Sequence, residues 1–161
     1  MRTVLYSVAL VFMLVVVVGI YKTKTVPDHL YFKTGTFAGC PDRPSCVSSV
    51  ANDAEHHVKP LSYSGDSAKA NARLHMILKE MGARVSPEQS GYIHAVFVTH
   101  KMQYHDDLEL LLEPEGVIQV RSISRFGYRD FGVNRERVEY LRALYQNQPE
   151  AQIPTIDLRS G

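Results

Sequence analysis

Hydrophobic positions change their rhythm along this chain. From Val4 to Tyr21 no residue is charged, and Leu10 to Val18 is apolar throughout. As a helix rising about 1.5 Å per residue, that stretch reaches ~27 Å, close to one hydrocarbon core. Lys22, Lys24, Pro27, Asp28 and Lys33 then break the density, so residues 23–35 read as a linker. Residues 57–63 read as a short strand. Asp66 offers an N-cap, and Ala70, Leu74, Ile77, Leu78 and Met81 recur at helical spacing until Gly82 closes the helix. Residues 84–86 and 92–100 read as strands on either side of a turn from Pro87 to Gly91. Residues 107–113 alternate, with Leu108, Leu110 and Leu112 on one face; residues 117–123 place Ile118 and Val120 on one face. A last helix, capped by Asn134, buries Val138, Leu141, Leu144 and Tyr145.

Pro114-Glu115-Gly116 joins the last two strands and sets their register. Proline suits the first turn position and glycine the left-handed one, as in a three-residue hairpin. Leu112 then faces Ile118, Leu110 faces Val120, and Glu109 faces Arg121. A slip by one residue would set leucines against Gln119 and Arg121, so the pattern defends this pairing. The expected architecture is α+β: an antiparallel sheet of four to five strands with two helices on one face, plus an N-terminal transmembrane helix. The expected division is an anchor over 1–22, a linker over 23–35, a soluble domain over 36–147 and a loosely held tail over 148–161.

Composition narrows the setting. The chain has 161 residues, 45% hydrophobic and 22% charged, with a formal net charge of +1. That supports one folded domain and argues against nucleic acid as a partner. The apolar stretch ends in Gly-Ile-Tyr-Lys, a poor peptidase site, so an uncleaved anchor is favoured over a removed signal. Arg2 on one side and Lys22 and Lys24 on the other leave the orientation nearly balanced. Cys40 and Cys46 close the loop Cys-Pro-Asp-Arg-Pro-Ser-Cys. A disulfide there is the favoured reading and implies an oxidising compartment; free thiols, or half of a metal site needing two further ligands, are the alternatives. Together these place the soluble domain on the periplasmic side of the cytoplasmic (inner) membrane.

Charge is unevenly distributed. Five acids and no base lie between Asp106 and Glu115, and six of the eleven arginines lie between Arg121 and Arg142 with no lysine. Arginine without lysine suggests fixed bidentate contacts. One reading makes these structural ion pairs, using Glu109, Asp107 and Asp130 with Arg121 and Arg125. A second makes Arg121, Arg125, Arg135 and Asn134 an anion or lipid-headgroup site beside a helix N-terminus. A third, hydrolase-like reading takes Asp107 as base with Ser122 or Ser124. With Arg121 or Arg125 stabilising an anion, it requires a closed pocket holding Asp107, one arginine and a serine within hydrogen-bond reach of a common point. His94, His100 and His105 lie in or near strands; His105 with Asp106 and Asp107 is a weak metal trio, and no metal or cofactor is expected. Phe126, Tyr128 and Phe131 alternate with arginines, as on a headgroup or partner surface. No phosphate-binding or dinucleotide fingerprint is present.

Three stretches carry a resemblance. They are Gly39-Cys-Pro-Asp-Arg-Pro-Ser-Cys-Val-Ser-Ser49, Asp106-Asp107-Leu-Glu109, and Arg121-Ser-x-Ser-Arg-x-Gly-x-x-Asp-x-Gly-x-Asn-Arg-x-Arg-Val138. In order and spacing they resemble an uncharacterised bacterial and plastid family, domain of unknown function 1499, over about residues 36–145. The resemblance implies one intact domain, often exported or membrane-anchored, and brings no catalytic residues. The expected function is a membrane-anchored, non-catalytic binding or accessory module with an anionic-lipid or protein partner. A subunit of a membrane complex and a hydrolase-like enzyme are the alternatives.

Overall fold

The computed structural model describes residues 2–87, 89, 91–99 and 103–147. Helix α1 spans Arg2–Lys24, and a single turn, α2, spans Tyr31–Thr34. Then follow β1 (Cys46–Ser48), β2 (Leu61–Ser62), α3 (Ser67–Glu80), β3 (Arg84–Val85), β4 (Tyr92–Val98), β5 (His105–Leu112), β6 (Val117–Ser124) and α4 (Val133–Asn147). The strands form one six-stranded antiparallel sheet in the order β1-β6-β5-β4-β3, with β2 also on β6. Six strands replace the expected four or five. The unforeseen one is β1, whose three residues are all buried and therefore show no alternation to read. The strand expected over 57–63 contracts to Leu61–Ser62, and His57 makes only an isolated bridge to Ser48.

The hairpin has the expected register: Leu112 opposite Ile118, Leu110 opposite Val120, Glu109 opposite Arg121. Glu113 N donates to Val117 O at 2.8 Å, and Gly116 takes a φ of +81°. A Cβ at Gly116 would sit 2.7 Å from Tyr63 O, so the position demands glycine for space as well as for backbone. Asp66 caps α3, its carboxylate accepting from Ala68 N. The core lies on one face of the sheet. Ile93, Ala95, Leu108, Leu110, Leu112, Ile118 and Val120 pack against Leu74, Ile77 and Leu78 of α3 and Val138 and Leu141 of α4.

Alternation puts Tyr92, His94, Asp107, Glu109 and Arg121 on the opposite face, where water would be the default neighbour. The chain ahead of β1 covers that face instead. Leu30 is 0% exposed, Tyr31 N donates to Glu109 Oε1 at 2.7 Å, and Gly39 O accepts from Arg121 Nε at 3.1 Å. The rings of Tyr31 and Tyr92 lie 5.0 Å apart. The later part of the expected linker is therefore docked. A single apolar anchor at Leu30 and one backbone amide suffice, and neither leaves a periodic trace.

Among the described residues no helix is long and apolar enough to cross a membrane, so the expected span from Val4 to Tyr21 is not shown. Leu10 to Val18 are exposed on every side of the helix. His100 and the expected tail over 148–161 lie outside the described residues.

Candidate functional site

The covered sheet face holds a layer of charge. Arg121 Nη1 donates to Glu109 Oε2 at 2.7 Å, with side chains 2% and 1% exposed. Glu109 Oε1 also accepts from Tyr92 Oη at 2.9 Å, and burial followed by the Glu109 charge pushes the Tyr92 phenol well above its ordinary pKa. Beside it, Arg125 holds Asp107 with two donors, Nε to Oδ2 and Nη2 to Oδ1, each at 2.8 Å. Asp107 Oδ1 also lies 2.7 Å from His94 Nε2. Burial raises the Asp107 carboxyl, but the hydrogen bonds from Arg125 and His94 outweigh it and hold it below its usual range. Asp107 is wholly buried, and its two carboxylate oxygens are held by Arg125 and His94. As a base it would first have to leave both partners.

The remaining nominated residues part company. Asn134 sits inside the first turn of α4 and turns into the core, donating to Ser45 O and Ser124 Oγ and accepting from Ser122 Oγ. The capping group is Asp130, whose carboxylate accepts from Gly132 N and Asn134 N. Asp130 thus serves the helix N-terminus, where negative charge is favoured, while Arg125 pairs with Asp107. Ser122 and Ser124 belong to the Asn134 network, which Arg137 extends to Asp106 at 2.6 Å. His105 Nδ1 faces Gln103 O, so His105, Asp106 and Asp107 point to different partners. Among the described residues no cluster of His, Cys, Asp and Glu could hold a metal ion.

Arg135 and Arg121 hold different partners. Arg135 donates to His57 O and Glu55 O, clamping that loop to α4. Arg142 does the same to Lys59 O and Pro60 O and pairs with Glu139. The cavity between that loop and α4 measures about 770 Å³, but these guanidiniums are already engaged in clamping its walls.

A second cavity, about 600 Å³, opens beside the disulfide. Cys40 and Cys46 are bridged at 2.09 Å. The bridge sets Arg43 over the sheet, and His29, Gly39, Cys40, Pro41, Arg43 and Arg121 surround the opening. Among the described residues no carboxylate lines it. Arg43 Nη2 donates to Ser124 O at 2.8 Å, whereas its Nε is buried without a hydrogen-bond partner. Burial, then the nearby Arg121 charge, draws the Arg43 pKa down from its ordinary value. Burial and the same Arg121 charge hold His29 low, against a smaller pull from Glu109. His56 fixes the loop from below, its Nε2 3.0 Å from Arg43 O and its Nδ1 2.7 Å from Asp53 Oδ1. Both partners are acceptors, so both nitrogens carry protons. Burial pulls His56 down, but the Asp53 carboxylate prevails and raises it above its usual value.

Sequence reading found Arg121 and passed over Arg43 and His29. Arg43 had a legible signal, since prolines flank its loop and cysteines close it. His29 had none, because its segment carries no motif. Also unforeseen is Ser86, whose Oγ lies 3.0 Å from His94 Nδ1, making a serine–imidazole–carboxylate chain that ends on Asp107.

A family model described as Protein of unknown function (DUF1499) matches residues 36–144. That span takes in the disulfide loop, the whole sheet and nearly all of α4. Comparison with curated proteins finds no match.

Proposed function

We propose, for a chain that belongs to the DUF1499 family, that it is a non-catalytic binding module. In this reading α1 holds it in the cytoplasmic membrane, and its periplasmic domain grips an anionic group, such as a phosphate of a lipid or envelope polymer. The observation that carries the binding half is the cavity beside the disulfide. Arg43 and Arg121 both line it, burial and then the Arg121 charge hold Arg43 below its ordinary pKa, and among the described residues no carboxylate shares the lining. An anion between the two guanidiniums would relieve their repulsion. The membrane half is supported by the uncharged stretch from Val4 to Tyr21 and by the apolar side chains from Leu10 to Val18 exposed on every side of α1. A helix apolar on every side and bare to water is not a stable arrangement. The bridged cysteines support an oxidising compartment.

The test is calorimetric titration of the full chain in neutral detergent with inorganic phosphate, then with dispersed short-chain phosphatidylglycerol. The wild-type protein binds one or both. Arg43→Gln weakens binding at least tenfold, about 1.4 kcal/mol, with little change in melting temperature. Affinity rises as pH falls toward the depressed pKa of His29, because a protonated imidazole adds a third positive charge. Unchanged affinity in Arg43→Gln removes this reading.

A second reading, a serine hydrolase, rests on the Ser86–His94–Asp107 chain. In that arrangement His94 takes the Ser86 proton and Asp107 orients the ring. Arg125 would compete with the ring for Asp107, which weakens the case. A fluorophosphonate probe decides it: labelling that disappears in Ser86→Ala would favour the enzyme.

A further inference from the structure

The loop from β6 to α4 carries the most exposed aromatic residue of the described chain. Phe131 is 92% exposed, Tyr128 is 67% exposed, and Phe126 is also exposed. Phe131 buries almost nothing against its own protein. Its backbone is nonetheless left-handed, with φ 56°, a conformation that bulky L residues rarely adopt. The hydrogen bonds that Asp130 accepts from Gly132 N, Val133 N and Asn134 N hold the backbone of this turn, but they leave the Phe131 ring exposed. Such an exposure points outside the chain.

The position of the loop identifies what lies outside. The Phe126 ring rests against Gly19 of α1, where a Cβ would stand 3.6 Å from its Cζ. The Tyr104 ring lies against Phe126 as well, centroids 5.7 Å apart and planes tilted by 37°. Gly19 lies near the end of the uncharged stretch, two residues before the exposed Tyr21. The loop thus sits at the level where α1 would leave the hydrocarbon. Aromatic residues concentrate at that depth, with an apolar body below and a polar tip in the headgroups. Arg129, exposed between Tyr128 and Phe131, supplies a charge suited to anionic headgroups.

We propose that Phe126, Tyr128 and Phe131 form a second membrane contact, inserted into the outer-facing headgroup region of the bilayer beside α1. The proposal rests on α1 being in that bilayer. Together the two contacts orient the domain: α1 alone would leave it free to tumble, and an inserted loop holds one edge of the sheet against the lipid. The occupant is lipid and not a protein, because Phe126 joins the loop to the apolar surface of α1 at Gly19.

The chain contains no tryptophan, so one introduced tryptophan is a unique reporter. Three full-length variants are reconstituted into phosphatidylcholine–phosphatidylglycerol nanodiscs: Phe131→Trp in the loop, Phe12→Trp in α1, and Tyr140→Trp on the exposed side of α4. The proposal expects blue-shifted emission from Phe131→Trp relative to Tyr140→Trp. It also expects quenching by lipids brominated near the headgroup, and several-fold weaker quenching by acrylamide. If Phe12→Trp is lipid-quenched while Phe131→Trp behaves like Tyr140→Trp, the loop proposal fails and the anchor stands. If Phe12→Trp and Phe131→Trp are both aqueous, the anchor fails and the loop proposal with it. If Phe131→Trp is shielded from acrylamide yet untouched by brominated lipid, a protein or a second copy covers the loop, and the lipid assignment is wrong. Phe131→Ser, which removes no internal packing, should keep the wild-type melting temperature in detergent.

Discussion

Arg121 and Glu109 illustrate how a charge survives burial. Each would cost several kcal/mol if taken out of water alone. Paired at 2.7 Å, and supplied with Gly39 O, Tyr92 Oη and Tyr31 N, they exchange water for a set of fixed dipoles. Asp107 makes the same exchange with Arg125 and His94, which sets its pH dependence. Its folded pKa lies below the unfolded value of 3.8, so on acidification the unfolded chain takes up the proton first. Its contribution to stability is complete above that value and is lost as pH falls through the folded pKa. A plot of melting temperature against pH, followed by circular dichroism, should fall below about pH 4. Asp107→Asn should lower the plateau and flatten that fall. An unaltered acid limb in the variant would show that other carboxylates govern it. The opposition of Glu109 and Arg121 was readable beforehand because the hairpin register follows from Pro114, Gly116 and the leucines. The partners Tyr31 and Gly39 were not, since they reach Glu109 and Arg121 from nearly eighty residues or more away.

At the scale of elements, the stretch containing α2 matters more than its length suggests. A four-residue helix has no stability of its own, and Leu30 does the holding. Truncating a fully buried leucine costs about 2–5 kcal/mol. Leu30→Ala should therefore lower stability to urea by an amount in that range. It should also expose Tyr92 and Glu109, seen as a fall of the Tyr92 phenol pKa toward its ordinary value of 10.0 in an ultraviolet titration. Stability lost without any change in the phenol would mean that α2 packs without sealing the ionic layer. Long periodic elements were legible in advance: α3 with its Asp66 cap, the β5–β6 hairpin and the buried stripe of α4. Short elements such as β1, β2 and α2 were not, because two to four residues cannot display a period. The cap of α4 was misassigned for a related reason. Asn and Asp both suit a cap, and only packing revealed that Asn134 was needed in the core.

For the whole molecule, the sheet separates two chemistries. Helices α3 and α4 close an apolar core on one face, and the chain from residue 29 to residue 43 closes an ionic layer on the other. The proposed anion cavity opens at the edge of that second layer, while the aromatic loop leaves the same strand, β6, toward α1. Membrane attachment can be tested on the intact protein. Two charges at the centre of α1, Val11→Asp and Val15→Asp, each oppose insertion by about 2.5–3.5 kcal/mol. The wild-type chain should remain in the membrane pellet after alkaline carbonate extraction, and the double variant should be released or lost. Equal retention of both would mean that α1 is not what holds the chain.

The sequence by itself determined the α+β class, the positions of α3 and α4, the β5–β6 register and the loop between Cys40 and Cys46. All of these follow from local rules: side-chain period, turn chemistry and the separation of two residues along the chain. The tertiary structure alone decided that the acidic face of β5 is dry, that Asp130 takes the capping role expected of Asn134 while Asn134 turns into the core, and that Arg43 joins Arg121 at one cavity. Those outcomes depend on which distant segment covers which face. A carboxylate facing water and one facing a buried guanidinium occupy the same place in an alternating pattern, and only the covering chain distinguishes them.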